Sequence, residues 1–382
     1  MGANDWRTHN ESGSKRVVVT KELPADRWLE ILTAADCRVE IGTSTEILSV
    51  EEIKDKIGDQ CDAVIGQLTE KWGEELFTAL KNAGGKAYAN YAVGYNNVDV
   101  GVATKYGIPV GNTPGVLTET TAEMAVSLTF SAARRVIEAD SFMRAEKYHG
   151  WLPQLYLGEL MTGKTVGVIG AGRIGCAYAK MMVEGFKMNL VYFDPYPNEY
   201  MENYIKSYGE FLQAQGDDPV TCQRLESVED VLKVADVVSL HPVLDDTTFH
   251  LMNTERLGLM KDNAILINAS RGPVIDEVAL VEHCKNHPDF KAGLDVFEDE
   301  PLMKPGLKDL PNVVIVPHIA SATIWTRSGM AILAASNVAG ILSGYGAWQD
   351  QNDVLPFLGD NPPQAAPSIV NAGEVGLAAY KG

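Results

Sequence analysis

Three residues able to bind an anion and move a proton follow one another in the second half of the chain: Arg271, Glu300 and His318. Arg271 stands in Asn268-Ala269-Ser270-Arg271-Gly272-Pro273 and Glu300 in Asp295-Val296-Phe297-Glu298-Asp299-Glu300-Pro301. His318 stands in Val316-Pro317-His318-Ile319-Ala320. A guanidinium can fork to a carboxylate or hold a ketone oxygen. A carboxylate beside an imidazole favours its protonated form, which suits the ring to donate a proton, or in reverse to accept one from a hydroxyl. Taken singly, each residue has a plain structural reading: an arginine in a salt bridge, a glutamate in a solvated acidic loop, a histidine packed at a strand end. Their common position favours chemistry. All three lie at or just beyond the carboxyl end of a predicted strand, the side of an open α/β sheet where ligands bind.

Upstream lies Gly170-Ala171-Gly172-Arg173-Ile174-Gly175, between an apolar strand, Thr165–Ile169, and a helix, Arg173–Phe186. In that setting Gly170 permits the tight turn and Gly172 lets a pyrophosphate approach the backbone. Gly175 allows close packing of helix on strand, and Arg173 and Ile174 open the helix whose N-terminus takes the phosphates. Asp194 closes the next strand, nineteen residues after Gly175. It can accept hydrogen bonds from ribose hydroxyls and would repel a 2′-phosphate, which favours NADH/NAD and disfavours NADPH. Loop and trio together imply hydride transfer between a nicotinamide and a small 2-oxo or 2-hydroxy acid, with His318 as acid/base and Arg271 as anchor.

The elements that must position these residues alternate regularly. Strands are predicted at Arg16–Thr20, Arg38–Ile41, Asp62–Ile65 and Ala87–Asn90, with helices at Ala25–Ala35, Val50–Ile57 and Glu74–Ala83. The turn Val93-Gly94-Tyr95-Asn96-Asn97 follows, and such a turn can leave backbone N–H groups exposed. Behind the N-cap-rich segment Thr118–Thr121, the stretch Glu119–Lys147 reads as one long linker helix. Further strands are predicted at Thr165–Ile169, Asn189–Phe193, Val237–Leu240, Ala264–Asn268, Ala292–Asp295 and Val313–Val316, and a last long helix at Thr323–Ser343. The fold class is therefore α/β: two doubly wound parallel-sheet domains, the dinucleotide-binding (Rossmann) domain inserted into the substrate-binding domain. The expected boundaries are 1–119 with 323–382 for the substrate domain and 120–322 for the NAD domain. Residues 195–227 read as an insertion holding a helix or two, Met1–Lys15 as a disordered leader, and the last forty residues as a cover over the surface.

Composition narrows the function further. A chain of 382 residues is long enough for two cores. A net charge of −19 argues against nucleic acid and against an anionic membrane surface as partners. An anionic substrate must then be caught by local cations or N–H groups. The five cysteines are scattered and form no C-x-x-C pair, which fits a reducing compartment and gives no metal signature; Cys176 reads as a small packing residue at a helix start. No metal site is expected. His9 falls in the leader, His149 in a linker, and His283 and His287 on a helix, while His241 and His250 flank a loop and read as core. No apolar stretch is long enough to span a membrane, and no secretory signal is evident.

These motifs resemble those of the D-2-hydroxyacid dehydrogenase family from about Arg16 to Asp353. The marks are Gly111-Asn112-Thr113-Pro114-Gly115-Val116, Thr121-Ala122-Glu123, the glycine loop, Ser270-Arg271-Gly272, Asp295 through Pro301, and Pro317-His318-Ile319-Ala320. The resemblance implies that Arg271 binds substrate, Glu300 pairs with His318, and His318 is the acid/base. It also implies that Thr121 and Asp295 face the cofactor, Asp295 through the nicotinamide amide. The backbone at Val93 and Gly94 would hold the substrate carboxylate. Within the family, the segment after Asp194, Glu184-Gly185-Phe186-Lys187-Met188-Asn189 and Pro367-Ser368-Ile369-Val370-Asn371 are similar to the NADH-dependent hydroxypyruvate reductases of plant and algal photorespiration. That branch implies a homodimer with embracing linker helices, and a tryptophan at about Trp151 that reaches the partner's site. It also implies glyoxylate as a second substrate. The branch ends in a peroxisomal Ser-Lys-Leu-type tripeptide, where this sequence reads Ala-Ala-Tyr-Lys-Gly, so mitochondrion, peroxisome and cytosol all stay open. Another specificity in the family, such as phosphoglycerate dehydrogenase, stays open too, as does a corepressor-like NAD-sensing module. Glu in place of Gln beside the histidine disfavours formate dehydrogenase.

Overall fold

β-branched runs and amphipathic helices alternate along the chain, and the computed structural model, which describes residues 6–351 and 353–381, layers them into two compact units. One comprises Met1–Leu117 with Ala322–Gly382, the other Thr118–Ser321.

Among the described residues, the first unit holds a six-stranded sheet of β1 (Trp6–His9), β2 (Lys15–Val19), β3 (Cys37–Gly42), β4 (Ala63–Gly66), β5 (Ala87–Asn90) and β6 (Val110–Gly111). The order is β1-β3-β2-β4-β5-β6, parallel throughout except β1. Val17 and Val19 face one layer with Leu32, Ala335 and Val338, and Val18 faces the other with Ile53, Phe77 and Leu80. A parallel strand covered on both sides needs such a continuous apolar run. The helix Val50–Ile57 starts in a capping box, in which Ser49 and Glu52 each satisfy the other's backbone N–H.

Two expectations for this unit fail. Residues 6–9 are not a disordered leader but the antiparallel edge strand β1, pairing Trp6 with Gly42 and His9 with Val39; Met1–Asp5 lie outside the described residues. The run is too polar to show a strand pattern and depends on a partner thirty residues on. Nor does the C-terminal tail lie merely over the surface. Ala366, Ser368, Ile369 and Asn371 are buried, and the tail closes the free edge of the sheet. The Val110 N–H donates to Asn371 Oδ1 (2.8 Å), and the Val370 N–H to the Val110 carbonyl (2.8 Å). An edge capped in this way cannot recruit a foreign strand.

Among the described residues, the second unit holds seven strands: β7 (Thr165–Ile169), β8 (Asn189–Phe193), β9 (Cys222–Arg224), β10 (Val237–Leu240), β11 (Ile265–Asn268), β12 (Lys291–Leu294) and β13 (Val313–Ile315). All are parallel, in the order β13-β12-β11-β10-β7-β8-β9. Strand order reverses between β7 and β10. This is the topological switch point of a dinucleotide-binding sheet.

The stretch read as one linker helix is two, Thr118–Ala133 and Val136–Arg144, broken at Arg135, which is left-handed (φ 54°). The Ala133 carbonyl accepts from the Glu159 N–H (2.9 Å), and Arg135 pairs with Glu138 (2.7 Å), which ends the first helix. That helix is core rather than linker: Ala122, Ala125, Leu128 and Ala132 pack with Met182 and Val168. Residues 195–227 do hold a helix but are no added insertion. They form the ordinary crossover from β8, the helix Glu199–Ala214, and β9, with Met201, Ile205 and Leu212 in the same core. Its length comes from a helix of 16 residues. No helix among the described residues is long and apolar enough to cross a membrane.

Candidate active site

The glycine loop leaves β7 at the switch point. Gly170 has φ +90°, a conformation L side chains rarely adopt, and a Cβ there would lie 2.7 Å from the backbone of His241 and Pro242 beyond β10. A Cβ on Gly175 would lie 2.1 Å from the Gly170 carbonyl oxygen, so helix and loop touch only because position 175 is bare. At Gly172 a Cβ would meet nothing within 4 Å. That open position, at the N-cap of the helix Arg173–Phe186, is where a phosphate could reach the unsatisfied N–H groups of the first turn, Arg173 and Ile174 among them. These three glycines meet the steric demands of a bound dinucleotide.

Asp194, directly after β8, bonds back to this loop. Its Oδ2 accepts the Ala171 N–H and its Oδ1 the Tyr196 N–H, each at 2.9 Å. Arg224 on β9 grips the Asp194 carbonyl at 3.0 Å, and Asn198 Nδ2 donates to the Ala171 carbonyl at 2.7 Å. The carboxylate is therefore held at the loop with lone pairs to spare, since it can accept about four hydrogen bonds. Thr121 is buried in the first turn of Thr118–Ala133.

Arg271, Glu300 and His318 follow β11, β12 and β13 in turn, and the structure brings Glu300 and His318 into contact: Nδ1 of His318 lies 2.9 Å from Glu300 Oε2. Burial pushes the Glu300 carboxyl up, but the His318 bond and charge, the Phe297 N–H and the Arg271 charge outweigh it and hold it below its ordinary value. Burial lowers the Arg271 guanidinium, opposed by Glu300, and Arg271 Nη1 donates to the Ser270 carbonyl (2.7 Å).

His318 is three residues beyond β13, and it is left-handed at φ 52°. Asp295 sets that turn. It is fully buried; its backbone carbonyl accepts the His318 N–H (2.9 Å), and its carboxylate accepts the N–H groups of Ile319 (2.6 Å) and Ala320 (3.0 Å). Burial raises the Asp295 carboxyl and these two bonds lower it, with a net rise.

Two supports escaped the sequence reading. The Glu277 and Glu298 carboxylates each accept the other's backbone N–H (2.8 and 3.1 Å), and Glu277 also takes the Lys304 N–H (2.6 Å). His250 Nε2 lies 3.1 Å from Glu298 Oε1. This clasp ties both ends of the Glu300 loop to the helix Glu277–Asn286 that follows the Arg271 loop. A Cβ on Gly272 would fall 1.8 Å from the Phe297 carbonyl oxygen, so the two loops meet backbone to backbone there. No spacing rule signals such bonds to the backbone. Burial pulls the His241 imidazole down to about 3, and its ring bonds Ser239 Oγ at 2.8 Å.

The turn at 93–97 belongs to the first unit. The Val93 carbonyl accepts from Asn112 Nδ2 (2.9 Å) and the Gly94 carbonyl from Asn90 Nδ2 (3.0 Å). The N–H groups of Val93 and Gly94 donate to no acceptor among the described residues. Trp151 is 79% exposed, so the described residues do not bring it into the Arg271–Glu300–His318 group. Among the described residues, no cluster of three or more His, Cys, Asp or Glu side chains is arranged to hold a metal ion.

Comparison with known proteins gives this geometry a context. Residues 126–320 match the family described as D-isomer specific 2-hydroxyacid dehydrogenase, NAD binding domain. The chain is 64% identical over 372 residues to the glycerate dehydrogenase of Cucumis sativus, covering 97% of each protein. It is 62% identical over 376 residues to the peroxisomal glycerate dehydrogenase HPR of Arabidopsis thaliana, covering 98% of this chain and 97% of that one. Among solved structures, a protein of Thermus thermophilus superposes with a TM-score of 0.77 at 35% identity, covering 93% of this chain and 99% of that one. With a dinucleotide loop at the switch point and a carboxylate-bonded histidine at the strand ends, the chain belongs to the D-isomer specific 2-hydroxyacid dehydrogenase family.

Proposed function

We propose that the chain reduces hydroxypyruvate to D-glycerate with NADH, the reaction of photorespiration that its motifs resemble, and glyoxylate to glycolate as a second activity. The observation that carries this reading is the 2.9 Å pairing of His318 with Glu300, two loops from Arg271, in a chain so similar to two glycerate dehydrogenases. NADH bound along the glycine loop supplies the hydride. The N–H groups of Val93 and Gly94 take the substrate carboxylate, and Arg271 holds the carbonyl that becomes the hydroxyl. With Nδ1 committed to Glu300, His318 delivers its proton from Nε2 to the developing alkoxide, and takes it back in the oxidative direction. Glu300 stays ionised and stabilises the imidazolium. Asp295 keeps the His318 turn in place, and its remaining lone pairs are those that would take the nicotinamide amide.

A steady-state comparison of hydroxypyruvate and glyoxylate, each with NADH and NADPH, tests the reading. Turnover of hydroxypyruvate with NADH is expected to be the fastest of the four, and no oxidation of NADH with either acid would sink the proposal. Cofactor preference rests on Asp194, whose carboxylate would face a 2′-phosphate as a like charge. Asp194→Ala should therefore narrow the ratio of kcat/KM for NADH over NADPH by about tenfold or more. An unchanged ratio would move the preference elsewhere.

The apolar side chains of Val136, Ile137, Met143, Trp151, Leu152 and Leu160 are all exposed along one stretch of the second unit. Such a run supports a homodimer in which a second copy covers it. Light scattering of the purified protein should return twice the chain mass of 41.5 kDa, and a monomer at micromolar concentration would exclude that assembly.

A further inference from the structure

The C-terminal tail does more than close a sheet edge. Three consecutive carbonyls of the turn after β5 are held by donors of the first unit: Ala92 by the Thr113 N–H (2.9 Å), Val93 by Asn112 Nδ2 (2.9 Å) and Gly94 by Asn90 Nδ2 (3.0 Å). In a trans peptide unit the C=O and the following N–H point to opposite sides. Holding the Val93 carbonyl therefore also fixes the direction of the Gly94 N–H. The side-chain amide of Asn112 must present nitrogen, not oxygen, to the Val93 carbonyl. The Val93 carbonyl, which can only accept, sets that orientation, and Ser368 of the tail anchors the other end of the amide: its hydroxyl donates to Asn112 Oδ1 (2.5 Å). Asn337 ties the pair together: its Oδ1 accepts the Ser368 N–H (2.8 Å) and its Nδ2 donates to the Asn112 carbonyl (2.9 Å). Asn112, Asn337 and Ser368 are all buried, so no water competes for these bonds.

We infer that Asn112, anchored by Ser368 of the C-terminal tail, is a positioning residue that aims the Gly94 N–H at the substrate carboxylate. The inference rests on the proposed reading of the Val93–Gly94 turn as the carboxylate site. It makes the tail a support behind the carboxylate-binding turn, acting through Asn112 and the Val93 carbonyl.

The test compares hydroxypyruvate with its methyl ester, which keeps the reacting carbonyl and lacks the anion. Asn112→Leu keeps nearly the same side-chain shape and removes the donor without adding charge. It should raise KM for the acid about tenfold, with KM for the ester, kcat and NADH affinity within about twofold of wild type. Ser368→Ala should move the same ratio in the same direction by about threefold, and it serves if Asn112→Leu does not fold. Because the ratio of acid to ester KM is taken within one protein, a general loss of stability leaves it unchanged. A ratio that stays at the wild-type value in the variants overturns the inference while leaving the carboxylate reading intact. Equal KM for acid and ester in the wild type would instead remove the carboxylate reading, and the inference with it.

Discussion

Replacing His318 with alanine should lower kcat for hydroxypyruvate by roughly two to four orders of magnitude, the usual worth of a positioned general acid. NADH affinity should stay near that of the wild type, because the glycine loop and Asp194 lie on other loops of the sheet. The size of the effect follows from how firmly the ring is placed. Its backbone sits in a left-handed turn locked by Asp295, and its Nδ1 is bonded to Glu300 at 2.9 Å. Glu300→Gln should lose part of the same rate, since a neutral amide keeps the contact but no longer stabilises the imidazolium. The pH sign follows from the depressed Glu300 carboxyl. A carboxyl lowered by folding stabilises the native state above its unfolded value, and that stability disappears as pH falls through the folded value. Acid should thus loosen the His318–Glu300 pair and the fold together. Steady-state kinetics across pH would show it, and equal kcat in His318→Ala and wild type would remove His318 from the chemistry.

Arg271→Ala should lower kcat/KM by about two to three orders of magnitude, the range for truncating one partner of a desolvated charge pair. Burial disfavours the charged guanidinium, opposed by Glu300, so an anion seated beside it offsets part of that cost. Much of the loss should fall on KM, because the cation holds substrate as well as transition state. Arg271→Lys should recover only a part, since an ammonium cannot reproduce the planar fork. A lysine variant as active as wild type would mean that position 271 supplies only a point charge.

What could be read from the residues, and what could not, divides along a physical line. Strands β7, β8 and β10 were legible to the residue because each is a largely apolar run closed by Gly170, Asp194 or His241. Strands β1 and β9 were not. Trp6–His9 and Cys222–Arg224 are short edge strands that carry no apolar alternation and form only by pairing with a neighbour. The break at Arg135 was equally hidden. Nothing local marks an arginine for a left-handed turn, and its cause lies in the Ala133 carbonyl, which accepts the N–H of Glu159 from outside the helix. At the site, the His318–Glu300 pair could be anticipated because both residues sit just beyond strand ends, where side chains converge. The Glu277–Glu298 clasp and the Ser368–Asn112 relay could not, because a side chain bonded to a group far away in the sequence leaves no pattern in spacing.

The capped edge of the first sheet has a consequence for how the chain is made. β6 is synthesised early, yet the residues that close its edge, Ser368 to Asn371, emerge from the ribosome more than 250 residues later. Between Leu117 and Ala322 the entire second unit is translated, roughly 10–40 s at ordinary elongation rates of about 5–20 residues per second. For that interval the second unit can complete its sheet while the first waits with a bare edge and without the helix Ile324–Leu342 over its core. Nascent chains stalled before residue 322 should therefore protect the NAD-binding half from protease and leave the first half open to it. The short length of β6, only Val110–Gly111, limits what a neighbouring chain could pair with during that wait.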